Sequence, residues 1–382
     1  MKQQCTARFT TLVLWLVLAT LSANAADTYV YFGTHRSGPG IGFSLAHFDT
    51  DTGALTKPEF IMEAEAPAFF VIHTDGKHLY TCNAGQKTGS VSAYEIDPKT
   101  GKLTLLNQQP SGGAEPSYIT LDKTEHYALV ANYNAGNIAV LAIKPDKSLG
   151  DRTGFAQHTG SSVNPKRQSR PFAHSIIVDP SNRFALVADL GVDKLFVYRF
   201  NERDGSLTPN DPPFAAVKPG SGPRHVKFHP NGQWVYLINE MGSTVTGFNW
   251  DAAKGSLTEL QTISTLPAGF SNANSCAELE IHPNGRFLYG SNRGHDSLVV
   301  CAIDPATGRL SLVQHVSSGG KQPRNFTFDP TGQWILCTNH GSDNAVVFRV
   351  DGTTGKLTPV GPPIKVPFPF CERFLPVPKT KS

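Results

Sequence analysis

A short turn recurs along this chain at intervals of about fifty residues, the size of one four-stranded propeller blade. Its clearest copies read Asp51-Thr52-Gly53-Ala54-Leu55-Thr56 and Lys99-Thr100-Gly101-Lys102-Leu103-Thr104. It returns without glycine at Asp146-Lys147-Ser148-Leu149, then four more times, marked by Leu207, Leu257, Leu310 and Leu357. A second motif interleaves with it: an apolar strand, a turn resembling Asp-Pro-x-Gly, a second apolar strand, then Asn or Asp. Its copies span residues 69–83, 118–132, 175–189, 225–239, 278–292 and 325–339. In residues 221–240 the turn is His229-Pro230-Asn231-Gly232, where proline presets one φ and Asn and Gly accept positive φ. A third strand precedes each Thr-Gly turn and a fourth follows it.

Six hairpins accompany seven turns, so one unit lacks its first strand. Residues 28–33 resemble a second strand and 42–48 a third, which leaves the missing strand to the C-terminus, within residues 370–375. The pattern predicts an all-β chain: a seven-bladed β-propeller of four-stranded antiparallel blades, residues 26–382, closed by pairing the N- and C-terminal strands. Closure also removes exposed sheet edges. Two β-sandwiches would show no fixed period. The 35 Gly and 28 Pro suit a turn-rich β protein.

Residues 1–25 read as an export signal. Lys2 and Arg8 precede the apolar run 11–21, and Ala23-Asn24-Ala25 forms an A-x-A cleavage signature, making Ala26 the mature N-terminus. An uncleaved anchor is the alternative. The reading is a periplasmic or secreted protein with no membrane association after cleavage. Charged residues make up 17% of the chain and the net charge is +3, with no polybasic run, so nucleic acid is not an expected partner. Five cysteines follow the leader (Cys82, Cys276, Cys301, Cys337 and Cys371) with no close pair, which indicates neither a disulfide framework nor a metal site. No cofactor is expected.

Aligning the hairpins on their turns stacks Ala68, Ser117, His174, Arg224, Ala277 and Arg324 just ahead of the first strand. Just past the second come Asn83-Ala84, Asn132-Tyr133, Asp189-Leu190, Asn239-Glu240, Asn292-Arg293 and Asn339-His340. In a propeller the first strand of each blade lines the channel, so these positions share one channel mouth. The repeated Asn or Asp is a loop-holding residue, and His73, His229 and His282 are turn residues. The charged positions that differ between copies are the site candidates: His174, Arg224, Glu240, Arg293 and Arg324. Guanidiniums converging on one channel repel unless an anion is present, and they bind carboxylate or phosphate bidentately. His174 and Glu240 offer a proton-transfer pair. A structural ion-pair network is the competing reading.

These segments resemble the seven-bladed propeller lactonases, the 6-phosphogluconolactonase family that also includes the fungal 3-carboxymuconate lactonizing enzymes. The resemblance rests on YVYFG (29–33), LVANYNAGNIAVL within 116–141, AHS and LVADLGVDKLFVY within 170–198, and GSGPRH and NE within 220–240. It continues through GSLTELQTISTLPAGF (255–270), SNRGH within 287–295, and GGKQPRNF and SDNAVVF within 319–348. It covers nearly the whole chain after the leader and implies a small-molecule lactone substrate at the channel mouth. In the muconate branch a His, a Glu and two Arg are the proposed catalytic and carboxylate-binding groups, matching His174, Glu240, Arg224 and Arg293. Arg324 is added as a substrate-binding residue from its equivalent position. The resemblance implies lactone hydrolysis, with Glu240 or His174 as base; lactonization, or a non-catalytic binding propeller, are the alternatives. The leader sits poorly with 6-phosphogluconolactone, a cytoplasmic intermediate.

Overall fold

A computed structural model describes residues 27–36, 38, 40–84 and 88–377; the expected leader lies outside the described residues. Seven antiparallel four-stranded sheets form the blades. Blade 1 takes Asp27–Gly33, Gly42–Asp49 and Glu59–Glu63 from the N-terminus and its innermost strand, Cys371–Pro376, from the C-terminus. Thr28 faces Pro376 and Gly33 faces Cys371 across that junction. The strand missing from the repeat is thus supplied where the sequence places it. The innermost strands of blades 2–7 are Pro67–Ile72, Pro116–Leu121, Ala173–Val178, Pro223–Phe228, Ser275–Ile281 and Pro323–Phe328. Each touches the next, and the last touches Cys371–Pro376, which returns to Pro67–Ile72.

The second strands Phe184–Asp189, Trp234–Asn239 and Trp334–Asn339 are buried at every residue. Sheets covered on both faces need no polar alternation. The Thr-Gly turns lock neighbouring blades together. A Cβ on Gly255 would lie 2.3 Å from Phe184 of the preceding blade, and the glycine has φ +69°. In the copy without glycine, Lys147 adopts the same left-handed backbone, φ 66°, so the geometry persists where the residue type does not. His229 donates to the Gly285 carbonyl at 2.7 Å and His282 to that of Gly332 at 3.0 Å, while the second ring nitrogen of each accepts a turn N–H. These histidines pin one blade to the next.

The closing strand carries one buried acid. Glu372 is 0% exposed, with Oε2 at 2.7 Å from Thr338 Oγ1 and Oε1 unpartnered among the described residues. Thr338 has one hydroxyl proton, and the Asn325 carbonyl, 3.2 Å away, can only accept it. Both contacts are satisfied if Glu372 is protonated and donates to Thr338. Burial pushes its pKa from 4.5 up to about 8, against the pull of Thr338 and Arg373. A raised carboxyl pKa gives stability that is full below the unfolded value and is lost as pH climbs to the folded one. Glu372→Gln, which keeps a donor toward Thr338, should therefore flatten the stability profile between pH 4.5 and pH 8. The two proteins should diverge by up to about 1.4 kcal/mol per pH unit in denaturant titrations; parallel profiles would show that Glu372 is ionised in the fold.

Candidate active site

In blades 2–7 the ladder between first and second strands breaks at one repeated place. The register shifts between Pro67 and Phe69, Pro116 and Tyr118, Ala173 and Ser175, Pro223 and His225, Cys276 and Leu279, and Pro323 and Asn325. The residues left out of pairing are Ala68, Ser117, His174, Arg224, Ala277 with Glu278, and Arg324. These β-bulges re-aim one side chain in each of blades 2–5 and 7 and two in blade 6. The sequence reading placed these positions ahead of the strand; they lie inside it. In four blades the strand opens on proline, which is tolerated at a first strand position but reads as loop.

Glu240 follows the second strand of blade 5, and its N–H donates to the Gly222 carbonyl at 2.7 Å. The equivalent bonds Tyr133 to Glu115 and His340 to Gln322 recur in blades 3 and 7. This bond sets the post-strand residue beside the bulge. The preceding asparagines serve the loops: Nδ2 of Asn132, Asn292 and Asn339 donates to the carbonyls of Ser111, Thr265 and Ser318.

The Glu240 carboxylate is the hub of the mouth. Its Oε2 lies 3.1 Å from Arg224 Nε, 3.0 Å from Arg293 Nη2 and 3.9 Å from His174 Nε2. Its Oε1 accepts from Arg167 Nη2 at 2.7 Å. His174, Arg224, Glu240 and Arg293 are therefore brought together. Arg224, 2% exposed, also donates to the Ala277 carbonyl at 2.7 Å and meets His225 Nε2 at 3.1 Å. Arg293 donates to the Cys276 carbonyl at 2.8 Å. Both guanidiniums are thus fixed by backbone oxygens as well as by Glu240.

Arg324 stands apart. It has no acid and no hydrogen-bond partner among the described residues; its guanidinium lies 3.5 Å over the Phe370 ring. With Arg224, Ser117, His225, Asn325 and Phe370 it lines a narrow pocket. Beneath, the channel is filled. Phe69 and Tyr118 stack at 4.2 Å, His225 sets its edge against both, and His225 bonds Glu278 at 2.7 Å.

Electrostatics divide the roles. Burial would raise the Glu240 pKa, but Arg293, Arg224, His174 and Arg167 outweigh it and hold the carboxyl far below its ordinary range. It is a permanent anion and a weak base. Burial, then Arg224 and His225, drive His174 well below the usual imidazole range against the pull of Glu240, so the ring is neutral at pH 7. Desolvation, then Arg224 and Arg293, push Arg324 well below the guanidinium range against the pull of Glu240 and Glu115. Three guanidiniums thus meet one carboxylate, and a fourth stands apart from it over Phe370.

Arg167 escaped the sequence reading. It lies in residues 158–172, between the strands Leu149–Gln157 and Ala173–Val178, a connection much longer than its counterpart at 111–115. The repeat alignment has no column for it. Its signal was that excess length together with the basic residues Lys166, Arg167 and Arg170.

Fold and site together define a closed seven-bladed propeller with a net-cationic cluster at one channel mouth. Residues 29–374 match the family described as Lactonase, 7-bladed beta-propeller. A 6-phosphogluconolactonase of Bacillus subtilis is 33% identical over 90% of this chain and 97% of its own length. One of Formosa agariphila is 32% identical over 76% of this chain and 83% of its own. The solved periplasmic gluconolactonase of Pseudomonas aeruginosa superposes with a TM-score of 0.87 at 32% identity, covering 92% of this chain and all of that one (100%). The chain belongs to the seven-bladed β-propeller lactonase family and is a lactone hydrolase.

Proposed function

We propose that this enzyme hydrolyses an anionic sugar lactone, 6-phosphogluconolactone or a relative of it, at the channel mouth by general-base activation of water. The observation that carries this reading is Arg324, a half-buried guanidinium with no ion-pair partner among the described residues, facing a narrow pocket that Arg224 also lines, with the neutral His174 imidazole close enough to feel its charge. Glu240, held by three guanidiniums, is too weak a base for the step. His174 takes that role. A single oxygen about 2.8 Å from each group closes the 3.9 Å gap between His174 Nε2 and Glu240 Oε2. A water there gives its proton to Nε2 as its oxygen attacks the lactone carbonyl. Glu240 stabilises the imidazolium, and Arg324 and Arg224 face the charge developing on the carbonyl oxygen. Collapse breaks the ring C–O bond, the proton passes from His174 to the leaving oxygen, and a hydroxy acid results.

The leader and the likeness to a periplasmic gluconolactonase support export, and with it a lactone met outside the cytoplasm. The test uses chain recovered from the exported fraction, whose first residue should be Ala26. Acid release is followed with 6-phosphogluconolactone, glucono-1,5-lactone and a simple neutral lactone, corrected for spontaneous opening. Saturable acceleration, greatest for the charged sugar lactone, is expected. No acceleration with any lactone would sink the hydrolase reading and leave a ligand-binding propeller.

A further inference from the structure

Arg167 differs from the other guanidiniums on Glu240 in two ways. Its side chain is 44% exposed, against 2% for Arg224 and 15% for Arg293. Its Nη2 is its only engaged guanidinium nitrogen among the described residues, on Glu240 Oε1 at 2.7 Å and Tyr133 Oη at 3.4 Å. Nε and Nη1 have no partner among the described residues, so this half-exposed guanidinium keeps unused donors.

The loop does not need Arg167 to hold its shape. Gln168 beside it is 0% exposed, donates to the Leu190 carbonyl at 2.9 Å and takes the Asn164 N–H at 3.2 Å. Ser162 closes the loop on Asp193 at 2.5 Å. Nor does Glu240 need a third cation, since two fixed guanidiniums already share its Oε2. A further positive charge there adds to the repulsion within the cluster, and an anion would relieve it. The rim position is set by contact: Tyr133 meets Arg167 with its hydroxyl and the His174 ring with its ring, centroids 5.2 Å apart. Glu115, the acid bonded to Asn134 on this rim, is also paired with His35 at 3.6 Å.

We infer that Arg167 is the specificity residue of the mouth: its free Nη1 donates to the phosphate or carboxylate substituent of the lactone while Nη2 stays on Glu240. This rests on the lactone-hydrolase reading and deepens it. The carbonyl lies at Arg324 and Arg224, and the remote anion lies at the rim. A guanidinium N–H makes a charge-assisted hydrogen bond to either anion, and a half-exposed cation at a cleft mouth also steers a charged ligand inward.

The test replaces Arg167 by Gln and by Lys and compares three lactones: 6-phosphogluconolactone, a glucarolactone carrying a carboxylate, and uncharged glucono-1,5-lactone. In Arg167→Gln, kcat/KM should fall at least tenfold more for the charged lactones than for the uncharged one, with the excess in KM. Its decline with added salt should flatten for the charged pair. Arg167→Lys should recover part of the preference. The phosphate and carboxylate arms show which anion the guanidinium favours. Equal losses on all three lactones would make Arg167 only a support for Glu240, and a wild type without charge preference would overturn the assignment. Product binding separates this inference from the hydrolase reading. By calorimetry, Arg167→Gln should weaken 6-phosphogluconate at least tenfold more than gluconate, even in a protein that turns over no lactone. Equal weakening there would also overturn it.

Discussion

His174→Ala is expected to lower kcat/KM for lactone hydrolysis by about 10²–10⁴-fold, the usual contribution of a positioned general base, and to leave the propeller folded. The fold should survive because the imidazole makes few bonds. Its Nε2 stops 3.9 Å from Glu240 and its Nδ1 has no partner among the described residues. Its backbone carbonyl, which accepts from Ser117 Oγ at 3.0 Å, is kept. The same imidazole fixes the acid limb of the rate profile. Burial, Arg224 and His225 depress its pKa well below 6.5. The active form is the neutral ring, so the rate should hold level from pH 8 down through 6.5 and fall only below it. A wild-type limb at or above 6.5 that vanishes in His174→Ala would contradict the burial argument. Wild-type-like turnover in His174→Ala would remove the residue from the mechanism.

The ring was legible because repeats make their own alignment. Seven turns and six hairpins fixed blade number and strand count, and the mismatch between them located the closing strand. The same alignment separated scaffold from site. Asn132, Asn292 and Asn339 recur and serve loops, and Asn239 bonds the neighbouring strand at Thr246, whereas His174, Arg224, Glu240 and Arg293 vary and meet at the mouth, where Arg324 lines a pocket with Arg224. Two things were hidden. The bulge was masked by proline at Pro67, Pro116, Pro223 and Pro323, which reads as loop although it opens a paired strand. The division of labour among the arginines was hidden because it depends on backbone oxygens. The carbonyls of Ala277 and Cys276 hold Arg224 and Arg293, and no sequence column records a carbonyl. Arg167 was invisible for a third reason, since a residue outside the repeat has nothing to be compared with.

Glu240→Ala should be the most destabilising change at the mouth. It leaves Arg167, Arg224 and Arg293 facing one another with no counter-charge, and Arg224 and Arg293 cannot retreat from the backbone carbonyls that hold them. Removing one partner of a buried ion pair costs about 3–5 kcal/mol, and here the remaining cations also repel. Glu240→Gln keeps an acceptor oxygen but loses the charge and places an amide N–H₂ among donors, so an intermediate loss is expected. Both variants should lose turnover, because His174 loses the anion that stabilises its imidazolium. Stability decides what Glu240 does. If it were the catalytic base and little else, Glu240→Gln would abolish turnover while melting like wild type. As the hub of three guanidiniums, its loss should lower the melting temperature in step with activity, and inorganic phosphate should restore more stability to Glu240→Ala than it adds to the wild type, because an anion bound only by the folded state stabilises by mass action. A phosphate response equal in the two proteins would show that the guanidiniums do not depend on Glu240 for their charge balance, and the base assignment would then return to the carboxylate.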